Sequence, residues 1–499
     1  MSDQTYRIIA IAVYMAAMLV IGYLAFRKTD DLDDYMLAGR RLRPTTAALS
    51  AGASDMSGWL LMGLPGAIYA FGLVEAWIAI GLTVGAWLNW TYVAPRLRSY
   101  TQVSKNSITV PTFFENRLRD SSHLLRITSG VIILVFFTFY VSSGMVAGGT
   151  FFESAFGGSY LTGMLLVAGV TLAYTLFGGF IGATWTDVVQ GLLMLAALVV
   201  VPVVAVSNLG GVGETIEGVR AADAAANAAG ADLNRLSLVA GGSVIGVLSA
   251  VAWGLGYFGQ PHIIVRFMAL RSAQDAKVGR RVGIGWMVLI ASGAVLSGII
   301  GVAFFWRDGE ILANPETVFL DMAAIVFHPL VGGLVLAAVL AAIMSTVSSQ
   351  LIVCSSALVE DLYKIAGKEA SPQKQVVLGR TGVLVVAVVA GLLAINPSGT
   401  ILELVGFAWA GFGAAFGPVI LLSLYWRRLT RQGALAGMIT GAVVVIVWGT
   451  TALGDTLYEI VPGFLANLLV AVLVSRATAV EQPEIEVEFD EAAAQAARA

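Results

Sequence analysis

Apolar runs of about twenty residues, nearly free of charge, recur along the whole chain, and no other feature narrows its fold so far. A helix of about 20 residues reaches 30 Å, the thickness of a bilayer's hydrocarbon core. Inside lipid every backbone polar group needs an internal partner, which leaves only helices and closed barrels. The alternating pattern of barrel strands is absent, so the runs are helices. Composition agrees: 58% of the 499 residues are hydrophobic and 12% charged, against roughly 25% charged in soluble domains. The mean hydropathy is +0.84. A net charge of −3 offers no basic surface to nucleic acid, and a single cysteine, Cys354, excludes an internal disulfide.

Thirteen spans are expected, near 6–26, 45–70, 74–95, 124–152, 160–180, 185–206, 236–261, 281–305, 326–356, 376–395, 399–426, 431–453 and 456–475. The first is of full spanning length and is followed by Arg27 and Lys28, so it reads as a retained helix rather than a secretory signal. With the N-terminus outside, 25 of the 29 Lys and Arg residues fall on the cytoplasmic side, leaving Arg7, Arg220, Arg235 and Arg307 outside. That asymmetry follows the positive-inside rule and sets the C-terminus inside. Residues 208–235 form a Gly/Ala/Asn-rich outer loop with room for a short surface helix, and the acidic tail 476–499 is expected to be disordered.

One stretch stands out, Leu49 to Trp59, which sets Asp55 among Ser50, Gly52, Ser54, Ser57 and Gly58 inside the second span. An aspartate at the centre of a spanning helix costs about 2.5–3.5 kcal/mol on the insertion scale. Small residues alone would serve close helix packing; the carboxylate is what packing does not require. The seventh span is interrupted in the same way, by Trp253-Gly254-Leu255-Gly256-Tyr257-Phe258-Gly259-Gln260-Pro261, five spans later. Two broken segments at corresponding positions point to an inverted-repeat transporter, with ligands bound where the breaks free backbone groups. Spans 2–6 (about 45–206) and 7–11 (about 236–426) would be the repeats, within a transmembrane domain of residues 1–475 whose helices 1, 12 and 13 are peripheral. Gly52 and Gly58 are expected to supply the dihedrals of the first break.

A second polar cluster, Ser345, Thr346, Ser348 and Ser349, lies in the ninth span beside the Ala341-Ala342 pair. Hydroxyls and backbone carbonyls suit a hard monovalent cation, whereas the scattered His123, His262 and His328 and the lone cysteine do not suit a transition metal. Tyr140, Trp253 and Tyr257 would offer ring faces and polar donors to an organic solute. Asp187, at the start of the sixth span, is either a helix-start acid or a group in ion release or gating. Nothing resembles a nucleophile–base pair, so an enzyme is not expected.

These residues resemble the sodium/solute symporter family, and within it the branch that carries proline. The likeness runs over roughly residues 6–470. It includes Asp33-Asp34-Tyr35, Ala38-Gly39-Arg40, Ser50 through Pro65, Trp185-Thr186-Asp187, Trp253 through His262, Arg266-Phe267-Met268, Ala342 through Thr346 and Phe412 through Pro418. Gly182 departs from the family's fifth-helix signature. The resemblance implies an all-α LeuT-type fold with a 5+5 inverted repeat. It also implies a sodium ion held by backbone oxygens of Ala53, Met56 and Ala342 and hydroxyls of Ser345 and Thr346, with Asp55 supporting. Ser57, Gly58, Trp59, Tyr140, Trp253, Tyr257 and Pro261 would form the substrate site, with no buried arginine required. The expected activity is sodium-coupled symport of L-proline across a bacterial plasma membrane, with sodium as coupling ion and no organic cofactor. The alternative keeps the fold but carries another amino acid, a sugar or pantothenate, or couples to protons.

Overall fold

In the computed structural model, residues 2–26, 38–363, 365, 371–397, 399–479 and 482–498 are described. Arg27, Lys28, Asp33, Asp34, Tyr35, Lys364 and Lys368, which figure in the charge count and the family likeness, lie outside them. The described chain is helical, and its one strand-like pairing is a bridge between Leu42 and Leu270. Ten helical stretches among these residues are long and apolar enough to cross a membrane, and three shorter apolar ones are Trp59–Phe71, Tyr160–Leu176 and Val244–Gly259.

In chain order the helices are α1 (Asp3–Phe26), α2 (Pro44–Asp55), α3 (Leu64–Phe71), α4 (Ala76–Leu88), α5 (Ala94–Val103), α6 (Val110–Arg117) and α7 (Leu124–Phe156). They continue as α8 (Tyr160–Asn208), α9 (Val212–Ala228), α10 (Val244–Ala252), α11 (Pro261–Met268), α12 (Asp275–Arg307), α13 (Val318–Val326) and α14 (Pro329–Ser356). The last five are α15 (Pro372–Ala394), α16 (Ile401–Tyr425), α17 (Arg431–Gly449), α18 (Ile460–Ala477) and α19 (Pro483–Ala497). α8 is 49 residues long and turns at Gly179, whose φ of 56° and ψ of −159° only glycine adopts at little cost. The turn explains why one unbroken helical run holds two apolar segments.

Both expected breaks are present, with corrections. α2 stops at Asp55, where Met56 (ψ 82°) leaves the helical region, and a π-turn over Trp59–Gly63 leads into α3. The glycines do not supply these dihedrals. Gly58 is in helical geometry, and Gly52 lies inside α2. A Cβ on Gly52 would meet the Trp286 ring at 2.5 Å, and one on Gly58 would meet Ala147 at 2.7 Å. Both serve close packing. The second break runs through a 3₁₀ turn, Trp253–Gly259, and an extended Gln260. Pro261 begins α11, where the first turn needs no amide hydrogen.

α2 sits at the centre, packed on α8, α11, α12 and α14, with eight of its twelve residues buried. The tail corrects the sequence reading: residues 483–497 form α19, docked on α5. Its Ile485, Phe489 and Ala492 are buried, a stripe at helical spacing within the acidic run.

Candidate functional site

The α2 break meets α14 through Ser345. Its hydroxyl lies 2.8 Å from the Ala53 carbonyl oxygen and 3.0 Å from that of Ala342. Three of the five expected ion ligands therefore converge on one point. Thr346, one residue on, is buried and its Oγ1 has no hydrogen-bond partner. Met56 is buried at the break. An orphaned hydroxyl beside clustered carbonyls suits a hard cation, since an unsatisfied buried oxygen is costly.

Asp55 is the hub of the neighbouring cluster. The Tyr257 hydroxyl donates a short hydrogen bond to its Oδ2, while Oδ1 has no partner. The Asp55 carbonyl accepts from the Trp59 indole at 3.0 Å and the Tyr140 hydroxyl at 3.5 Å. Trp59 and Trp253 lie with ring centroids 6.3 Å apart. Trp59, Tyr140, Trp253 and Tyr257 are thus brought together. Ser57 stays inside the break, its hydroxyl 3.4 Å from the Trp59 amide. Gly58 faces Ala147 and Ile343 instead. Pro261 borders a small cavity with Thr109, Ser356 and Asp361, away from the aromatic cluster.

Three residues that sequence reasoning passed over fix this geometry. Asn89, which follows the last residue of α4, donates to the Tyr257 carbonyl at 2.9 Å. Trp409 of α16 donates its indole hydrogen to the Trp253 carbonyl at 2.7 Å, and its own carbonyl accepts from Gln260 at 3.0 Å. An amide at a helix break has backbone groups to satisfy, and that signal was available for Gln260.

Arg266 corrects a second expectation. Counted as a loop charge, it is 1% exposed in α11 and forms an ion pair with Asp187 at 3.2 Å. Asp187 Oδ2 also accepts from Ser50 at 2.6 Å, and Arg266 donates to Ser349 at 2.7 Å. Among the described residues Asp187 is therefore compensated, whereas buried Asp55 has no ion-pair partner. His262, sandwiched at 5.5 Å from Phe137 and 5.9 Å from Tyr140, packs as a ring. His328 caps α14 by accepting from the Leu330 amide.

An open cavity of about 1060 Å³ leads toward the cluster, lined by Glu75, Ser249, Trp253, Gly406, Asp455 and Tyr458 among others. α16 starts at this vestibule and ends, 25 residues later, beneath Arg96, which donates to the Leu424 carbonyl at 2.6 Å. The vestibule and the arginines therefore occupy opposite faces.

A bundle of apolar helices with two central breaks and an unpaired buried carboxylate at one of them defines a membrane transporter rather than a catalyst. Two solved structures share this fold. A substrate-bound, outward-open Na⁺-coupled sialic acid symporter superposes with a TM-score of 0.78 at 18% identity, covering 95% of this chain and 98% of its own. Mhp1, a nucleobase-cation-symport-1 family transporter, gives 0.55 at 16% identity, covering 91% and 97%. The pattern of the sodium:solute symporter family matches residues 35–441, and the chain belongs to that family. It is a multi-pass integral membrane protein. Among its relatives, the high-affinity proline transporter PutP of Bacillus subtilis is 54% identical over 95% of this chain and 98% of its own. The sodium/proline symporter of Staphylococcus aureus is 51% identical over 98% and 95%.

Proposed function

We propose that this protein takes up L-proline by sodium-coupled symport across the bacterial plasma membrane. The observation that carries the ion half is Asp55, a buried carboxylate without a cation partner among the described residues, two positions from Ala53, whose carbonyl meets the Ser345 hydroxyl beside that of Ala342. A buried charge of this kind is tolerated where a counter-ion visits. The solute half rests on the identity to proline carriers and on the aromatic cluster. Proline is a zwitterion with an apolar ring: Trp59, Tyr140, Trp253 and Tyr257 suit the ring, and the backbone amides freed at the break suit the carboxylate.

In this reading sodium binds through the Ala53, Met56 and Ala342 carbonyls and the Ser345 and Thr346 hydroxyls. Asp55 acts indirectly, setting the field and tethering Tyr257. Ser57 and Gly58 shape the break, Pro261 starts the second half-helix, and Asp187 with Arg266 gates ion release. The ten long and three short apolar helices make thirteen spans with the N-terminus outside, and residues 45–206 and 236–426 are the inverted repeats. The vestibule then faces outward and the arginines face the cytoplasm. Sodium and proline each raise the other's affinity by linkage. Moving one charge inward yields about 2.3 kcal/mol per 100 mV, and a tenfold sodium gradient adds about 1.4 kcal/mol. Together they suffice for several-hundredfold accumulation.

The test is uptake of labelled proline into proteoliposomes. Uptake that persists when choline replaces sodium at constant pH overturns sodium coupling, and competition by other amino acids, sugars or pantothenate at equal concentration overturns proline. Asp55→Asn is expected to lower apparent sodium affinity by about a hundredfold, from the loss of one buried charge interaction. An unchanged sodium dependence removes Asp55 from the site.

A further inference from the structure

We infer that Tyr458, in the segment between the last two apolar helices, is a gating residue that clamps Trp253 over the substrate pocket from the vestibule side. This rests on the assignment of the Asp55–Tyr257 cluster as that pocket. The Tyr458 ring stacks on the Trp253 indole, with centroids 5.3 Å apart and planes 22° from parallel. Its hydroxyl donates to the Gly406 carbonyl of α16 at 2.7 Å, and its amide donates to Ser249 of α10 at 3.1 Å. One residue thus ties the broken seventh span to α16 across the vestibule floor. Gly406 makes room for it: a Cβ there would meet the Trp253 ring at 3.1 Å and the Tyr458 hydroxyl at 3.8 Å.

The indole is the boundary. Trp253 lines the vestibule and is 7% exposed, while its other neighbours, Trp59 at 6.3 Å and Trp409 through the carbonyl, belong to the pocket side. A solute descending the vestibule must move this ring, and the ring is held by Tyr458. The segment that carries Tyr458 is pinned in turn, because Trp448 donates its indole hydrogen to the Leu457 carbonyl at 2.9 Å. Tyr458 therefore gives the helix pair α17 and α18, peripheral by position, a direct hold on substrate entry.

The experiment measures alkylation by a hydrophilic maleimide in purified protein whose one cysteine has been replaced (Cys354→Ala). Ser57→Cys reports the pocket beneath the indole, and Ala250→Cys, in the vestibule lining, reports the outer space. Tyr458→Ala is expected to speed Ser57→Cys labelling about tenfold, the combined effect of one aromatic pair and one hydrogen bond. Labelling at Ala250→Cys should not change. Tyr458→Phe keeps the ring and should give about a threefold rise, and it decides the matter where the alanine variant does not fold. An unchanged Ser57→Cys rate, or an equal rise at both reporters, overturns the clamp. Added proline should protect Ser57→Cys in protein with Tyr458 intact. Failure of that protection with the tyrosine effect present supports the clamp and overturns the proline assignment.

Discussion

α16 ends differently at its two termini, and so does the whole bundle. At the vestibule the contacts that close the floor are aromatic and few, Tyr458 on Trp253 chief among them. The lining includes five carboxylates, Glu75, Asp232, Glu403, Asp455 and Glu459, and no Lys or Arg. At the other face guanidinium groups bind the last carbonyls of helices. Arg96 and Arg117 reach Leu424 and Ser423 of α16, and Arg40 and Arg98 reach Met268 and Leu270 at the end of α11. Final-turn carbonyls have no intrahelical donor, so a cation there satisfies both a hydrogen bond and the helix dipole. The difference teaches which barrier is thick. The arginine-bearing face is held by several charge-assisted bonds to helix ends, while the floor of the vestibule is closed chiefly by one stacked ring. In the proposed orientation, an arrangement of this kind admits solute from outside while blocking exit.

The strongest way to break the comparison is to remove a charge between the two faces. Arg266→Met strands Asp187, and loss of one partner of a buried pair costs about 3–5 kcal/mol. Asp187→Asn strands Arg266 at similar cost. The double variant should lie closer to the parent than either single one, because two neutral groups leave no buried charge. Thermal unfolding of the purified protein in detergent measures this cycle. A double variant no more stable than the worse single one would mean that the pair does not compensate.

A smaller effect sharpens the same contrast. Arg117 donates to the Ser423 carbonyl at 3.3 Å and lies over the Tyr100 ring at 5.2 Å. Arg117→Ala should cost the state closed at the arginine face about 2–4 kcal/mol, from one charged hydrogen bond and the cation–π contacts to Tyr100 and Phe489. The population then moves toward the state open at that face, and Ala250→Cys labelling from the vestibule slows. Labelling that stays constant would show that Arg117 supports both states equally.

Much of this was legible in the chain, and the misses have causes. The apolar runs follow from the period-free hydrophobicity that lipid demands, and Asp55 was visible because a carboxylate in such a run is expensive. The breaks were legible as positions, but their glycines were misread: the sequence shows small residues without showing whether φ or a neighbour's ring requires them. Arg266 was misplaced because an arginine shortly after a proline looks like a loop charge, and Asp187 lies 79 residues away in sequence. Tyr458 carries no local signal at all, since its partners come from α10, the 3₁₀ turn and α16. The acidic tail was judged by composition, and the spacing of Ile485, Phe489 and Ala492 was overlooked.

That tail supplies the smallest effects. Phe489 is held between the guanidinium groups of Arg117 and Arg427, each 5.6 Å from the ring, with Tyr100 at 6.1 Å. Phe489→Ala should weaken docking of α19 by about 1.5–3 kcal/mol, the value of one buried side chain. Amide hydrogen exchange across Pro483–Ala497 should rise accordingly. Arg427 also pairs with Asp490 at 2.7 Å, but both side chains are more than half exposed, at 53% and 55%. Asp490→Asn removes that pair and leaves the Arg427–Phe489 contact, so its cost should stay below about 1 kcal/mol and shrink as salt is added. Arg119 with Glu488, at 2.6 Å and 26% and 19% exposed, should resist salt better. Exchange rates at 50 mM and 500 mM salt separate the two. If Asp490→Asn loosened the helix as much as Phe489→Ala, α19 would be held by charge rather than by its apolar stripe, and the latch on the arginine face would be electrostatic down to its last contact.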